Sequence, residues 1–331
     1  MRRRKLLARG GLAVLLLAAL LTTAQSSQAD DEPEWYPGLP DATFGSWANA
    51  GQGGLSYARR AKQWFRTPAA MVVAEVASLA NSDDLSSGQV RAEGYFVSPK
   101  GAPANYGYLA PMTVRSVGFG LMPVEATVQV SQRRAGDYPA PLKVLLDRKF
   151  YESNPRPGFQ NYDHVTYLET VIADSLNVRI LSVRVDGVDL ELNGDCRTVE
   201  PAPVTLRTPL YDRPVGDEKE WYRTHDPSTY WDAIFGGEMK GSMTIPPFTG
   251  CTTTAGDDLS RLMTLSVSGA DNPVVARSGW ACDLSVNGAP APLPPGASSP
   301  KLATEAGAKA GGLTDYCPGP KPFDYPERED R

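Results

Sequence analysis

Apolar and polar residues alternate one by one in several separate segments of the chain. In Val124–Ser131 (VEATVQVS) every second residue is apolar, and Met263–Val267 (MTLSV) follows the same rule. Successive side chains of a β-strand point to opposite faces, so this spacing gives a strand one apolar face for a core and one polar face for water. The sequence therefore predicts an all-β, antiparallel, β-sandwich-like fold with strands at Val124–Val130 and Met263–Val267.

An Asp-Gly pair joins two further alternating runs, Leu181–Val185 and Val188–Leu192. Asp186-Gly187 suits a two-residue type I′ turn, which needs positive φ at both central positions. That turn pairs the last residue of the first run with the first residue of the second, and it gathers all six apolar side chains on one face. The apolar residues just upstream have the opposite parity, so we predict a bulge or bend near Ile180.

Helical patterns are few. Leu55–Phe65 (LSYARRAKQWF) and Ser228–Phe235 (STYWDAIF) each have the spacing of a short amphipathic helix. Met71–Ala80 (MVVAEVASLA) fits either a helix or a buried strand, and its valines favour the strand. The segment Gly288–Gly312 is rich in Ala, Pro, Gly and Ser, which predicts a flexible tail. We therefore expect one or two short helices beside the strands.

Two adjacent prolines interrupt the alternation in the stretch Thr244–Cys251 (TIPPFTGC). Proline has no backbone N–H to donate to a neighbouring strand, so Pro246-Pro247 ends the strand or moves it to a sheet edge. Phe248 can then fold back onto the core, and Gly250 permits the turn that directs the following cysteine. The stretch predicts a structural corner rather than a catalytic site.

The chain starts with the three parts of an export signal. Arg2–Lys5 (RRRK) is basic, Leu12–Leu21 is apolar, and Ser27–Ala29 (SQA) has the small residues of a cleavage site. Residues 1–29 are therefore predicted to be a signal peptide, and the mature protein is expected to be secreted. The general secretory route is favoured over the twin-arginine route, which stays open.

Without residues 1–29 the chain is acidic. That segment holds five of the 33 Lys and Arg residues and none of the 38 Asp and Glu residues, which leaves 28 basic residues. An acidic protein makes poor contacts with phosphates, so nucleic acid and anionic membrane surfaces are not expected partners. No later apolar run approaches the roughly 18 residues of a membrane span, so no transmembrane segment is expected in the mature chain.

All four cysteines lie in the second half of the chain: Cys196, Cys251, Cys282 and Cys317. An even number in an exported protein predicts two disulfides. Because Cys251 and Cys282 flank one predicted strand, we expect them to pair, which leaves Cys196 to pair with Cys317. The chain has no Cys-x-x-Cys motif and only two histidines, so neither a metal site nor a cofactor is predicted.

These patterns divide the chain into four regions. Residues 1–29 are the signal peptide, and residues 30–70 form an N-terminal segment with a short helix. Residues 71–286 form the β-rich domain, which could consist of two sub-domains that meet near 197–236. Residues 287–331 form a tail rich in Pro, Ala and Gly, which is expected to be held by a disulfide of its one cysteine, Cys317.

Four segments resemble blocks of a group of secreted, β-rich actinobacterial proteins of unassigned function. They are Val117–Gln132 (VGFGLMPVEATVQVSQ), Val185–Thr198 (VDGVDLELNGDCRT), the proline-containing stretch Thr244–Cys251, and Ser266–Val275 (SVSGADNPVV) with Cys282 after it. The resemblance implies export and a β fold. The group offers no catalytic residues to carry over, so the resemblance leaves the function open.

The common catalytic motifs are missing from the sequence. There is no Gly-x-Ser-x-Gly nucleophile elbow, and a Ser-His-Asp triad would have to use His164 or His225. His225 lies beside Asp226 and close to Ser228, but triad members usually converge from distant segments. An exposed loop histidine is the favoured interpretation, and no catalytic residue is predicted.

Acidic residues offer two further alternatives. Carboxylates for glycoside hydrolysis could come from Asp83-Asp84, from Asp257-Asp258, or from Glu218 with Glu220. A calcium site could use the acids that lie close together without EF-hand spacing, namely Asp186, Asp189, Glu191 and Asp195. Solvated loop charges explain both sets better.

Four aromatic residues form the most distinctive candidate binding site: Trp221, Tyr222, Tyr230 and Trp231. Exposed flat rings bind sugars or peptides in many secreted β modules, because they give a large contact area at a small entropy cost. The favoured alternative is that these rings belong to the core or cover a loop.

We therefore expect a secreted, non-enzymatic β protein of the cell envelope or extracellular space, whose partner is an envelope polysaccharide, lipid or protein. The first alternative is an extracellular hydrolase of polysaccharide or lipid, which should bring several polar side chains together in one cleft. The second alternative is a lipid carrier, which should contain an apolar cavity between sheets.

Overall fold

Strands dominate the computed structural model, which describes residues 39–40, 46–80, 86–99, 101–118, 122–153, 162–216 and 218–284. The predicted all-β, antiparallel class is confirmed. The strands of the described residues are, in chain order, β1 (Ser46–Ala58), β2 (Gln63–Ala80), β3 (Ser87–Phe96), β4 (Met112–Gly118), β5 (Met122–Gln132), β6 (Arg134–Ala135), β7 (Tyr138–Pro139), β8 (Leu142–Tyr151), β9 (His164–Tyr167), β10 (Thr170–Val185), β11 (Val188–Asp189), β12 (Arg197–Thr198), β13 (Ala202–Thr208), β14 (Tyr211–Pro214), β15 (Trp231–Asp232), β16 (Gly236–Ile245), β17 (Phe248–Thr249) and β18 (Gly269–Leu284).

Short helices interrupt the strands at three places in the described residues: α1 at Glu218–Thr224, a 3₁₀ turn at Pro227–Thr229, and α2 at Ser260–Val267. The predicted helix at Ser228–Phe235 is therefore wrong, because the 3₁₀ turn gives way to β15 there. The carboxylate of Asp226 starts that turn by accepting a hydrogen bond from the N–H of Ser228 (2.9 Å).

The strand predicted at Met263–Val267 is also wrong, since these residues form most of α2. Met263 is 8% exposed but Leu265 is 58% exposed, so the two do not share a buried face. Leu262, Met263 and Val267 instead pack into one core at helical spacing. Just before the helix, the carboxylate of Asp258 accepts hydrogen bonds from the N–H (2.9 Å) and hydroxyl (2.6 Å) of Ser260.

The helix predicted at Leu55–Phe65 is a β-hairpin instead, because β1 ends at Ala58 and β2 starts at Gln63. A turn with positive φ at Lys62 (51°) joins the two strands. This part of β1 pairs with both β2 and β18, and those two sets of backbone hydrogen bonds override the helical spacing. The strand predicted at Met71–Ala80 is confirmed as the second half of β2.

Sixteen of the described strands belong to one antiparallel sheet, whose main path is β14-β9-β8-β3-β2-β1-β18-β16-β13-β10-β12-β17. The first part of β10 pairs with β13, and the rest pairs with β5, which in turn pairs with β4. The sheet curls, because the start of β10 returns to β8. There the N–H of Leu168 donates to the carbonyl of Asp147 (2.9 Å), and the hydroxyl of Thr170 donates to the carbonyl of Leu145 (3.0 Å).

Strand β2 shows how the two faces of the curled sheet differ. Met71 and Val73 lie on its outer face and are buried, at 4% and 0% exposure, among aromatic side chains of neighbouring segments. Val72 and Ala74 lie on its inner face and yet are only half-buried. The interior of the curl is therefore partly open, while the outer face of β2 is covered.

A second core lies beside the curl, where the later part of β10 meets β5 and α2. It contains Val178, Ile180 and Val183, which are at most 6% exposed although Val183 has the opposite parity. The register of β10 against β5 shifts between Ile180 and Ser182, and this shift brings all three side chains into the same core. The predicted bulge near Ile180 is confirmed, as is the strand predicted at Val124–Val130.

The predicted hairpin turn at Asp186-Gly187 is confirmed. Both residues have positive φ, at 50° and 81°, and Val185 pairs with Val188 across the turn. Val188 is nevertheless 66% exposed, and neither Val188 nor Leu181 belongs to the second core, so the prediction that all six apolar side chains meet on one face is wrong. The strand predicted at Val188–Leu192 is also shorter than expected, because β11 ends at Asp189.

The predicted corner at Thr244–Cys251 is confirmed as well. Strand β16 ends at Ile245, just before the two prolines, and Phe248 folds back into the second core at 6% exposure. Gly250 then turns the chain with φ of 68°. A positive φ strains most side chains, so glycine suits this position.

The disulfide joins Cys196 to Cys251, so the predicted pairs Cys251–Cys282 and Cys196–Cys317 are both wrong. The reason is that β12 and β17 are neighbours, with Arg197 opposite Thr249, which places Cys196 and Cys251 side by side with their Cα atoms 4.0 Å apart. The side chains of Cys282 and Cys317 lie outside the described residues.

Strand β2 crosses the predicted boundary between residues 70 and 71, and β1 already starts at Ser46. The sheet therefore begins earlier in the chain than predicted. The predicted signal peptide (1–29) and the predicted tail (287–331) lie outside the described residues. In the part of the chain that is described, no helix has the length and apolar character needed to cross a membrane.

Candidate ligand-binding cavity

The inner face of the curled sheet lines a cavity. Strands β1, β2, β3, β8, β10, β13, β16 and β18 all contribute to its wall. Its volume, measured as the space open to the centre of a water molecule, is about 190 Å³. One water molecule needs roughly 10–15 Å³ on that measure, so the cavity has room for a much larger molecule.

Small side chains create this empty space. Ala50 on β1, Ala74 on β2, Ala92 and Gly94 on β3, and Ala276 on β18 all lie in the wall. Gly94 lies opposite Ala74 in the pairing of β2 with β3. Protein interiors normally fill such positions, because empty volume costs stability. The small residues on four neighbouring strands therefore leave a cavity where larger aliphatic residues would have made a solid core.

Larger apolar side chains complete the wall, among them Phe96, Leu142, Leu206, Met239 and Met243. Burying apolar surface in such a space contributes about 25 cal/mol per Å². The methionines are flexible and polarisable, so they can adapt to ligands of different shape. The wall is therefore suited to an apolar ligand.

An aromatic cluster packs against the wall at Trp231, Met239 and Ala276. Within the cluster Tyr211 stacks on Tyr167, with ring centroids 4.6 Å apart and planes within 8°. Four of its rings come from β9, β14, α1 and the turn before β15. The packing of these rings thus holds the short elements against the curled sheet.

Polar groups inside the aromatic cluster bind one another. The hydroxyl oxygens of Tyr211 and Tyr222 lie 3.0 Å apart, and each lies 3.4 Å from Oδ2 of Asp232. The buried Arg213 donates to the hydroxyls of Tyr222 (3.1 Å) and Tyr167 (3.3 Å). Burial, followed by the charge of Asp232, raises the pKa of Tyr211 and of Tyr222 far above the ordinary value. Both tyrosine hydroxyls therefore stay protonated, so each can donate a hydrogen bond within the network.

The structure brings together the four aromatic residues predicted as a binding site, but not as an exposed platform. Tyr222, Tyr230 and Trp231 are buried, at 3%, 2% and 7% exposure. Trp221 is half-buried and stacks on His225, with centroids 3.9 Å apart. Of the four, Trp231 is the one that lines the cavity. The ligand role proposed for the other three stays a prediction.

Two serines of the wall are occupied by bonds within the protein. The hydroxyl of Ser56 donates to the carbonyl of Pro273 (3.2 Å). The hydroxyl of Ser278 accepts a hydrogen bond from the indole N–H of Trp231 (2.9 Å). These groups are therefore less available to a ligand.

Asp174 is the one ionisable residue that the described structure places in the wall. Its Oδ1 atom accepts hydrogen bonds from Nη2 of Arg133 (2.8 Å) and from the N–H of Ser175 (2.7 Å). Its side chain is 10% exposed. The wall thus holds a single, largely buried carboxylate that already has a cationic partner.

Neither histidine lies in the cavity wall. Nδ1 of His225 lies 2.7 Å from the carbonyl oxygen of Trp221. Nδ1 of His164 lies 3.0 Å from Oδ1 of Asp163. Oδ1 also accepts from the N–H of Ser153 (2.7 Å), and Oδ2 accepts from the Ser153 hydroxyl. The Ser153 hydroxyl, followed by His164, lowers the pKa of Asp163 below its ordinary value. Because the aspartate stands between serine and histidine, His164 cannot take the serine proton as a triad requires.

Several of the candidate acids bind groups of the protein itself. Asp258 binds Ser260, whose hydroxyl and N–H lower the pKa of Asp258. Oδ1 of Asp189 accepts from the N–H of Glu191 (2.9 Å), and Glu191 accepts from the hydroxyl of Thr254 (2.8 Å). Asp83 and Asp84 lie outside the described residues. In the described part of the chain, no group of three or more His, Cys, Asp or Glu residues is placed to hold a metal ion.

No protein family, characterised protein or solved structure shows a significant match to this chain. The cavity was not predicted from the sequence, which carries only a partial signal for it. The small residues Ala70 and Ala74 on β2 and Ala92 on β3 are that signal, because they leave parts of a strand face with little bulk.

Proposed function

We propose that the protein binds an apolar, lipid-like molecule inside the curled sheet and carries it without chemical change. One observation carries the proposal: the cavity is large enough for an organic ligand and is lined by small and apolar side chains. A ligand that leaves water for this wall gains the free energy of apolar burial.

The wall chemistry favours a carrier over a hydrolase. Glycoside hydrolysis commonly uses two carboxyl groups on either side of the scissile bond. Of the described residues that line the cavity, Asp174 alone carries a carboxylate, and neither histidine reaches the wall. Lipid hydrolysis needs an activated nucleophile beside a base. The hydroxyl beside His225, that of Thr224 (3.3 Å), donates to the carbonyls of Glu220 and Trp221 and lies outside the cavity wall. His164 is bound to Asp163 instead of to a hydroxyl.

The N-terminal sequence is consistent with a carrier that works outside the cytoplasm. Residues 1–29 have the pattern of an export signal, and the remaining chain is acidic. Lipids of the cell envelope are poorly soluble in water, so their transfer between surfaces requires a protein with an enclosed apolar site. An envelope lipid is therefore the proposed class of ligand.

A cavity-filling variant tests the proposal. Ala50 and Ala74 lie on the inner face, so the double variant Ala50→Leu/Ala74→Leu places two larger side chains in the cavity. We expect the wild-type protein to bind the neutral fluorescent probe N-phenyl-1-naphthylamine saturably. Added 1-dodecanol should displace the bound probe. The filled variant should bind the probe at least about tenfold more weakly, a difference of about 1.4 kcal/mol.

The matched control is Ala173→Leu, which adds the same side chain at an exposed position of β10. Its affinity for the probe should stay within about twofold of the wild-type value, because surface substitutions are usually within about 0.5 kcal/mol of neutral. Absence of saturable binding by the wild-type protein, or equal binding by the filled variant, would refute the proposal.

A further inference from the structure

We infer that the ligand carries an uncharged hydroxyl group on its apolar body, and that Asp174 accepts the hydrogen bond from this hydroxyl. The inference rests on the proposed function, since it concerns the same cavity. It names the class of ligand more narrowly: a long-chain alcohol, or a lipid with an equivalent free hydroxyl, rather than a fatty acid.

The position of Asp174 on β10 places it on the inner face of the curled sheet. It lies on β10 between Ile172 and Leu176, which share its parity and also line the cavity. It pairs with Val204 of β13, another residue of the wall. Burying a charged group costs free energy unless its polar atoms have partners, and Arg133 and Ser175 bind only one of the two oxygens of Asp174. This buried aspartate among apolar neighbours therefore points to a binding role.

The two carboxylate oxygens of Asp174 differ. Oδ1 is occupied by Arg133 and by the N–H of Ser175. Oδ2 accepts no hydrogen bond from any residue that the structure describes, although the side chain is nine-tenths buried. A carboxylate has about four acceptor positions, so Asp174 keeps acceptor capacity for a donor inside the cavity.

The charge balance of the wall selects against a fatty acid. Arg133 is bound to Asp174, and its side chain is 47% exposed; it does not line the cavity. The described wall contains no cation, so the carboxylate of a fatty acid would be buried without a partner and next to a like charge. Burying an unpaired ion costs free energy, whereas the hydrocarbon chain contributes equally to an alcohol and to a fatty acid of the same length, so the charge disfavours the fatty acid.

The other free polar groups of the wall are weaker candidates. Gln52 and Thr67 also line the cavity, and both are uncharged. A hydrogen bond to an ionised acceptor is roughly twice as strong as one between neutral groups. The hydroxyl of a ligand therefore gains most by reaching Asp174.

A pair of matched ligands tests this inference in the wild-type protein. 1-Dodecanol donates a hydrogen bond, whereas 1-methoxydodecane has the same chain and an oxygen atom but no donor. We expect 1-dodecanol to displace N-phenyl-1-naphthylamine at about tenfold lower concentration than the ether, because only the alcohol can donate a hydrogen bond to the charged carboxylate. Dodecanoate should be the weakest competitor of the three.

Variants of Asp174 test whether this residue causes the preference for the alcohol over the ether. Asp174→Leu should reduce the alcohol-to-ether ratio to about one, because any change in probe affinity affects both competitors equally and cancels in the ratio. Asp174→Asn, which keeps an acceptor oxygen, should retain part of the preference for the alcohol. Glu169→Leu is the control, because Glu169 lies just before β10 and forms an exposed ion pair with Arg207. It should keep the wild-type ratio.

The outcomes separate this inference from the proposed function. Equal displacement by 1-dodecanol and its ether from a wild-type protein that binds the probe overturns the inference and leaves the carrier function standing. Displacement by dodecanoate at the same concentration as 1-dodecanol also overturns it. A wild-type protein that binds no probe refutes the carrier function itself.

Discussion

At the scale of single residues, Tyr95 shows how burial and nearby charges act together. Its ring lies on the outer face of β3 at 3% exposure, in a core with Trp47 and Val73. Burial, followed by the charges of Glu93 and Glu75, raises the pKa of Tyr95 from 10.0 to about 12. All three effects disfavour the phenolate, so the hydroxyl stays protonated in the folded protein.

This shift predicts a loss of stability in alkali. The pKa of Tyr95 is higher in the folded than in the unfolded chain, so its contribution is complete below pH 10 and disappears as the pH rises to about 12. Tyr95→Phe removes this titration. Between pH 9 and pH 12 the free energy of unfolding should fall roughly 2–3 kcal/mol more in the wild type than in the variant. Urea unfolding at several pH values measures this, and parallel profiles would contradict it.

At the scale of elements, local patterns predicted the features that local chemistry decides. The Asp186-Gly187 turn, the bulge near Ile180 and the corner at Pro246-Pro247 depend on positive φ, on parity and on a missing N–H, which are all visible in the sequence. Helix α2 was missed because Met263–Val267 fits both a period of two and a helical spacing over so short a window. Contacts with the second core decided in favour of the helix.

The assignment of α2 predicts unequal effects for two neighbouring apolar residues. Met263 is buried in the second core, whereas Leu265 lies on the solvent side of the helix. Met263→Ala should lower the free energy of unfolding by about 2–4 kcal/mol, and Leu265→Ala should change it by less than about 0.5 kcal/mol. Chemical denaturation of both variants measures the difference. Similar losses would instead indicate a strand that buries both side chains.

At the scale of the whole molecule, the cavity could not be predicted from the sequence. Alternation shows that a strand has one apolar face, but it does not show whether larger residues fill the space before that face. Here Ala50 on β1 and Ala276 on β18 are far apart in the chain, and the sheet brings their strands together as neighbours. The position of Trp231 in the cavity wall depends in the same way on the curl of the sheet. The cavity is thus a property of long-range pairing.

The buried carboxylate was missed for a related reason. Asp174 interrupts no motif, and its neighbours Ala173 and Ser175 give no sign of a site. Its importance follows from its place on the inner face of β10 and from the apolar strands that lie opposite it. The aromatic residues near Trp221 were recognisable by composition, but their burial depended on β9, β14 and α1 packing together.

The methionine side chains allow the central claim, an apolar ligand inside the curled sheet, to be tested most directly. Met112, Met239 and Met243 line the cavity. Met71 is buried on the outer face of β2, and Met263 is buried in the second core, so these two are internal controls that match Met112 and Met239 in burial, whereas Met243 is half-buried. The measurement is a titration of the ¹³C-methyl-methionine-labelled mature protein with 1-dodecanol, followed by methyl NMR. We expect saturable shifts at Met112, Met239 and Met243 and nearly constant signals at Met71 and Met263. Equal shifts at all five, or none at the cavity methionines, would contradict the account.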